Sequence, residues 1–261
     1  MELHLAGKKA LVTGASKGIG LETVRVLQEE GVTVAAVSRT VTAELAATGA
    51  ITVTGDLSQS QAPAAVVAEA LKALGSLDIL INNVGGGAAT PGAGFLDFDD
   101  DAWTAALALN LAAAVRTTRA ALPALLTSDG AVVNVSSDSA RRPHTAPLPY
   151  SAAKAALNAV TKGLSEEFGP QGVRFNTITP SSTRTALWEG EQSFGADLAE
   201  AMNLTQQELV AALPMQSGMI TGRLIEPREV ATAIAYLASP LAVSVHGANW
   251  VVDAGVSKTA A

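Results

Sequence analysis

The chain of 261 residues contains no cysteine, which excludes a disulfide framework and any thiolate metal site. Its three histidines, His4, His144 and His246, stand far apart at no metal-ligand spacing, so each reads as a solvated or packing residue and no metal is expected. Positive charge is in the minority. Seventeen lysines and arginines against 24 aspartates and glutamates leave a formal net charge of −7, which argues against nucleic acid as a partner, because phosphates call for a basic face. Long apolar runs are also missing. The longest, Ala105 to Val115, is interrupted by Asn110 and is too short to span a bilayer, so no membrane association is expected. The opening Met1-Glu2-Leu3-His4-Leu5 lacks the charged and apolar regions of a signal peptide, and a soluble, cytoplasmic protein is expected. With 4% aromatic and 16% charged residues, the 48% hydrophobic content is rich in small side chains that let helices pack closely on a sheet. No repeat, linker or low-complexity tail interrupts the chain, and a single domain over 1–261 is expected.

Strand and helix signals alternate. Lys9 to Thr13 predicts a short buried strand running into Gly14-Ala15-Ser16-Lys17-Gly18-Ile19-Gly20, after which Leu21, Val24 and Leu27 repeat at helical spacing until Gly31. Further strands are predicted at 32–37, 51–53, 77–81, 131–135, 173–179 and 249–252. Helices are predicted at about 42–47, 64–74, 226–238, around Tyr150, and in two stretches over 99–126. This order implies an α/β fold, a doubly wound, mostly parallel sheet with helices on both faces. Such sheets bind ligands beyond the carboxyl ends of their strands, at the topological switch point.

The first strand-to-helix turn falls at that end. Gly14, Gly18 and Gly20 form a G-x-x-x-G-x-G spacing that lets the backbone approach a pyrophosphate, while the helix N-terminus offers unpaired N–H groups. An ordinary tight turn is the alternative; placement between the first strand and a helix favours the nucleotide. The second strand ends in Ala36-Val37-Ser38-Arg39, with no acidic residue to bind the ribose hydroxyls of NAD. Arg39 can fork onto a 2′-phosphate and Lys17 adds a second positive charge, so NADP is preferred over NAD. Later, Tyr150 and Lys154 lie four apart, on one face of a predicted helix. A neighbouring ammonium is expected to lower the phenol pKa from its reference of about 10 towards the range of an acid/base catalyst.

These motifs in register carry a resemblance. On Thr13 to Gly20, Asn82-Asn83-Val84-Gly85, Asn110, Ser137 and the Tyr150/Lys154 pair, the chain is identified as a member of the short-chain dehydrogenase/reductase family, with a match from about Gly7 to Gly255. The resemblance implies a Rossmann-like sheet of seven parallel strands and NAD(P)-dependent interconversion of a small-molecule carbonyl and an alcohol. It implies that Asn110, Ser137, Tyr150 and Lys154 are catalytic: Ser137 and Tyr150 bind the oxygen on which negative charge builds, and Tyr150 protonates it. Ser136 is the rival serine, with family spacing favouring Ser137. Asn110 is implied to hold a water linking the lysine to solvent. Besides Gly14, Ser16, Lys17, Gly18, Ile19, Gly20 and Arg39, the implied cofactor contacts are Asp56 and Leu57 at the adenine, Asn83, Val84 and Gly85 along the cofactor, Lys154 at the nicotinamide ribose beside Tyr150, and Pro180, Thr183 and Thr185 at the carboxamide end. Asn82 is expected to be structural, and Asp56 without the family reads as a turn residue.

Two positions depart from the family. Ser181 follows Pro180 where glycine is usual, which predicts either strain at φ > 0 or a locally different loop, and Ala254 replaces a common glycine in a packing turn. Asp97, Asp99, Asp100 and Asp101 read as helix N-terminal residues rather than a metal site. The stretch 181–223, with Trp188, Phe194, Met202, Leu204, Met215 and Met219, reads as an irregular substrate lid or as a small core of its own. Two other functions stay open: a 3-oxoacyl-carrier-protein reductase, with Arg141 and Arg142 beside His144 as the docking patch, and a non-catalytic NADP-binding sensor. Apolar residues over 101–126 and the terminal strand with Trp250 match the pairing helices and interface strand of relatives, and a homotetramer is expected, with a dimer as the fallback.

Overall fold

A computed structural model describes residues 2–86 and 93–258. Its strands are β1 (Lys9–Thr13), β2 (Thr33–Ser38), β3 (Ile51–Thr54), β4 (Ile79–Asn82), β5 (Ala131–Val135), β6 (Arg174–Pro180) and β7 (Asn249–Val252). They form one seven-stranded sheet in the order β3-β2-β1-β4-β5-β6-β7. Every pairing is parallel. The chain leaves β1 towards β2 and β3 and returns as β4 on the other side, so the strand order reverses between β1 and β4. Among the described residues no helix is long and apolar enough to cross a membrane, and no group of three potential metal-ligating side chains comes together.

Among the described residues the strands are accompanied by the α-helices α1 (Gly18–Glu29), α2 (Ala43–Ala46), α3 (Ala62–Leu74), α4 (Asp100–Leu107), α5 (Ala113–Thr127), α6 (Leu148–Phe168), α7 (Ala186–Glu189), α8 (Phe194–Ala201), α9 (Gln206–Ser217) and α10 (Pro227–Ala238). Strand side chains alternate between two cores. Val12, Ile81 and Val133 point to the face covered by Val24 and Leu27 of α1 and Val230 and Ile234 of α10. Leu11, Leu80 and Val132 point to the other, covered by Val66 of α3 and Ala121 and Leu125 of α5. Burial on both faces explains why these strands read as continuous apolar runs rather than alternating ones.

A buried polar chain fixes the two helices that matter most for the site. Asn82 Nδ2 donates to Thr118 Oγ1 of α5 at 2.9 Å and to Asn134 Oδ1 at 2.8 Å; Asn134 Nδ2 in turn donates to Thr161 Oγ1 of α6 at 2.8 Å. Asn82 is thus structural, as expected. Dry hydrogen bonds of this kind are costly to leave unpaired, so they specify one seating of the helices on β4 and β5.

Two alternatives are decided. The stretch 181–223 is not irregular but holds α7, α8 and α9, of which α9 opens on a Thr205/Glu208 capping box. Its Ala199, Leu209, Leu213 and Met219 build a small separate core with Leu224 and Val256, while Met202 and Met215 stay exposed. Trp188 and Phe194 meet edge to face, 5.6 Å between centroids. Ser181 is also free of left-handed strain: it continues the β6–β7 ladder by donating its N–H to Val252 O at 3.2 Å. Of the two departures it is Ala254 that is left-handed, at φ 54°, and its carbonyl accepts from Ile220 N beside the base of the 181–223 segment.

Candidate active site

The C-terminal ends of β1 and β4 are stitched together. Thr13 Oγ1 accepts from Asn83 N at 3.0 Å and Val84 N at 3.1 Å, and Asn83 Nδ2 returns to Thr13 O and Gly14 O. Gly14 is left-handed at φ 66°, and a Cβ on it would lie 2.9 Å from Val84 Cα. A Cβ on Gly20 would lie 2.5 Å from Asn83 Nδ2. The two glycines are therefore required by close backbone approach, and the amide of Asn83 is engaged in building the turn. Ser16 O accepts from Thr42 Oγ1 at 2.9 Å, tying the turn to α2, and Ile19 packs on the first core. Lys17 precedes α1 and Arg39 directly follows β2; both are exposed.

The adenine-side nominees behave differently. Asp56 Oδ1 accepts from Ser58 N at 3.1 Å and Ser58 Oγ at 2.8 Å, and these bonds, helped by the more distant Arg39 charge, hold its carboxyl below the usual range. It is a turn residue first. Leu57 is buried in the second core, so its side chain packs the sheet. On the opposite rim, Thr185 lies over the glycine turn, its Cγ2 3.1 Å from where a Gly18 Cβ would be, and caps α7 by accepting from Leu187 N. Pro180 ends β6, and the buried Thr183 donates to Ser181 O at 2.9 Å.

The four nominated catalytic residues converge beside this turn. Asn110 occupies a π-helical turn, Ala108–Ala112, between α4 and α5. Such turns recur at functional sites because they push one side chain out of helical register. Asn110 Oδ1 accepts from Gly86 N at 2.9 Å and its Nδ2 donates to Gly86 O at 2.8 Å and Ala106 O at 3.0 Å. Asn110 thus clamps the 85–86 backbone and makes no direct bond to Lys154. Gly85 fits between them: a Cβ there would sit 3.0 Å from both Asn110 Oδ1 and Lys154 Nζ.

Lys154 is 2% exposed and donates to Val135 O at 2.8 Å. Burial disfavours its ammonium and pushes its pKa down to about 8. Its Nζ lies over the Tyr150 ring, 5.7 Å from the centroid. The expected lowering of the phenol is not what the structure has: the phenol is raised. Tyr150 keeps part of its surface open, yet desolvation raises its pKa; hydrogen bonding to Ser137 opposes this and the Asp138 charge adds to it. Ser136 is buried and donates to Lys154 O at 3.3 Å, a structural bond, whereas the half-buried Ser137 accepts from Ser139 N at 3.2 Å and Ser139 Oγ at 3.0 Å. That division favours Ser137 as the residue open to a substrate.

The sequence reading overlooked one residue at this site. Asp138 follows Ser137 directly, and Ser181 donates to its Oδ2 at 2.9 Å. An acidic residue next to a nominated active-site serine was the available signal. Arg142 turns inward, its Nη1 3.6 Å from the same oxygen, leaving Arg141 exposed with His144. The aspartates before α4 act as caps: Asp99 Oδ1 accepts from Ala102 N at 2.8 Å and Asp97 Oδ2 from Gly94 N at 2.8 Å. As a whole, the site has a glycine-lined cradle at a helix N-terminus, two exposed cations at its far end and a buried lysine with N–H groups to spare, which fits a phosphorylated dinucleotide.

The family model described as short chain dehydrogenase matches residues 8–194. The 2,3-dihydroxy-2,3-dihydro-p-cumate dehydrogenase of Pseudomonas putida is 33% identical over 97% of this chain and 95% of its own length. The L-xylulose reductase of Bos taurus is 32% identical over 99% of this chain and 100% of its own. Among solved structures, L-sorbose reductase from Gluconobacter frateurii, complexed with NADPH and L-sorbose, superposes with a TM-score of 0.90 at 26% identity, covering 100% of both chains.

Proposed function

The chain belongs to the short-chain dehydrogenase/reductase family, NAD(P)-dependent oxidoreductases of carbonyl and secondary alcohol groups, and on that premise we propose that it is an NADPH-dependent ketone reductase with Tyr150 as the general acid. The observation that carries this reading is the convergence of Ser137, Tyr150 and a buried Lys154 beside a glycine cradle whose outer end bears Arg39 and Lys17. The whole chain acts as one catalytic domain, with 181–223 covering the substrate side. The polyhydroxylated substrates named for the sorbose and xylulose reductases make small hydroxyketones the first class to test.

The glycine turn would hold the pyrophosphate, Arg39 and Lys17 the 2′-phosphate, Lys154 the nicotinamide ribose, and Pro180, Thr183 and Thr185 the carboxamide end. NADPH, when bound, supplies the hydride. Ser137, oriented by the Ser139 N–H, and Tyr150 donate hydrogen bonds to the substrate oxygen. Negative charge builds on that oxygen, so these bonds strengthen towards the transition state. Tyr150 then transfers its proton to the same oxygen, and Lys154 beneath the ring stabilises the phenolate left behind. Asn110 keeps the 85–86 backbone in place under Lys154. The carrier-protein reading has less support, because Arg142 is drawn onto Asp138 and Arg141 alone makes a poor acidic-partner patch. A sensor would not need these aligned acid/base groups.

A panel of ketones, hydroxyketones and alcohols incubated with NADPH or NADP, followed by absorbance of the reduced cofactor, tests the assignment. Turnover with at least one ketone class is expected. Tight NADPH binding with no turnover across the panel would instead identify a sensor.

The assembly proposed is a homotetramer. Trp103, Leu109, Leu111, Val115, Leu122 and Leu126 remain only half-buried, and Leu107 and Trp250 are exposed at 37% and 40%. Faces of this kind are self-complementary across two-fold axes in symmetric oligomers. Light scattering after size exclusion should give about four times the 26.4 kDa chain mass. A single-chain mass across micromolar concentrations rules the tetramer out, and twice that mass would identify the dimer.

A further inference from the structure

In the reaction described above Ser137 donates to the substrate oxygen, yet its hydroxyl is already engaged. Ser137 Oγ accepts from Ser139 N at 3.2 Å and from Ser139 Oγ at 3.0 Å, and donates to Oδ1 of its neighbour Asp138 at 3.4 Å. Asp138 lies in the connection between β5 and α6, its side chain 12% exposed. One of its oxygens is well held: Oδ2 accepts from Ser181 Oγ at 2.9 Å and lies 3.6 Å from Arg142 Nη1. The other is not. An O–H···O bond is normally about 2.7–2.8 Å long, so at 3.4 Å the Ser137 contact is loose. Among the described residues it is also the one side-chain hydrogen bond that Oδ1 accepts. A carboxylate oxygen with little water around it and acceptor capacity to spare therefore stands beside the serine that meets the substrate.

We propose that Asp138 is a specificity-determining residue: its Oδ1 accepts a hydrogen bond from a substrate hydroxyl on the carbon next to the carbonyl, taking that donor in exchange for Ser137. The inference rests on the ketone-reductase reading and narrows its substrate to α-hydroxyketones. The exchange follows from counting donors and acceptors. Ser137 has one proton. While it points to Asp138, the carbonyl oxygen is left to Tyr150; when it turns to the carbonyl, Oδ1 loses its donor. A plain ketone brings only an acceptor, so one of the two goes short. An α-hydroxyketone brings an acceptor and a donor together. In its eclipsed conformer its two oxygens lie within hydrogen-bonding reach of each other, a spacing that suits Ser137 Oγ and Asp138 Oδ1 at 3.4 Å. The carbonyl then faces Ser137, the hydroxyl faces Oδ1, and all four oxygens are paired. Ser181 and Arg142 hold Oδ2, which keeps the carboxylate from swinging out to water. A site of this kind rejects the analogue without the hydroxyl because its own polar group is then left unpaired.

The test compares hydroxyacetone with butanone, in which a methyl replaces the hydroxyl, and with methoxyacetone, which keeps the electron-withdrawing oxygen but cannot donate. With NADPH in excess, kcat/KM should be highest for hydroxyacetone. Asp138→Ala should lower the hydroxyacetone-to-butanone ratio of kcat/KM by roughly 10- to 100-fold, the worth of one hydrogen bond to a charged group. The methoxyacetone-to-butanone ratio should stay where it was. A general disturbance of the site would lower all three ketones in parallel. Such a parallel loss, or a parent enzyme with no preference for hydroxyacetone over methoxyacetone, overturns the proposal. If Asp138→Ala does not fold, Asp138→Asn keeps a partner for Ser181 while its neutral oxygen accepts more weakly, so the same ratio should fall and an unmoved ratio overturns the proposal. Absence of turnover with every ketone rejects the reductase reading, and the hydroxyl contact is then decided by saturation-transfer NMR on the protein with NADP. A hydroxyacetone signal above that of methoxyacetone, lost on substituting Asp138, supports the contact; equal signals, or none, overturn it.

Discussion

Tyr150→Phe is expected to lower ketone turnover about 100-fold or more, the scale on which a general acid contributes, while NADPH affinity changes little. The substitution removes one oxygen and keeps the ring, hence the packing above Lys154 at 5.7 Å. No hydrogen bond of the phenol supports the glycine turn, which is held by Thr13 and Asn83. Loss should therefore fall on kcat rather than on cofactor binding, because the interaction removed strengthens only as charge develops. The sign of the pH effect follows from the raised phenol. At neutral pH Tyr150 is protonated, so reduction has its acid ready. Alcohol oxidation needs the deprotonated form and should climb with pH towards the phenol's titration; that climb should vanish in Tyr150→Phe. Stopped-flow turnover in both directions, with NADPH affinity from fluorescence, provides the measurement. A variant that keeps most of its turnover removes Tyr150 from the mechanism.

Arg39→Asp is expected to weaken NADPH by roughly 10- to 100-fold and to reverse or abolish the preference over NADH. Losing one charge-assisted contact of about 1.5–3 kcal/mol sets that range. Arg39 directly follows β2, the strand paired with β1, on the surface, where a carboxylate would repel a 2′-phosphate and accept from free ribose hydroxyls. Because the site is exposed, the substitution should leave folding intact. Its effect should shrink at high salt, since Lys17 and Arg39 act through solvent-screened charge. Steady-state kinetics with both cofactors decide the matter. A parent enzyme that already prefers NADH would contradict the assignment of this corner.

What could be read without the fold was whatever depends on near neighbours along the chain. Apolar runs such as Leu11-Val12 and Ile79-Leu80-Ile81 mark strands buried on both faces. The Gly14/Gly18/Gly20 turn is legible because glycine alone tolerates its left-handed φ and close approach, and Tyr150/Lys154 because helical spacing places them on one face. The helices of 181–223 were missed despite local caps, since α7 and α8 are short and α9 contains Pro214. The π-helical turn at Asn110 has no local spelling either.

Tertiary packing alone decided the rest. Ser181 reaches Asp138, Gly85 fits between Asn110 and Lys154, and Arg174 donates to the carbonyls of Leu237, Ala238, Ser239 and Ala242 at the end of α10. The ionisation of the catalytic pair belongs here too. Sequence spacing sets Lys154 one turn from Tyr150 and suggests a lowered phenol. The fold buries both groups, so desolvation raises the phenol and lowers the lysine to about 8. Spacing along a helix is a property of the backbone, whereas desolvation depends on every element packed around the side chain, and it is the larger effect at this site.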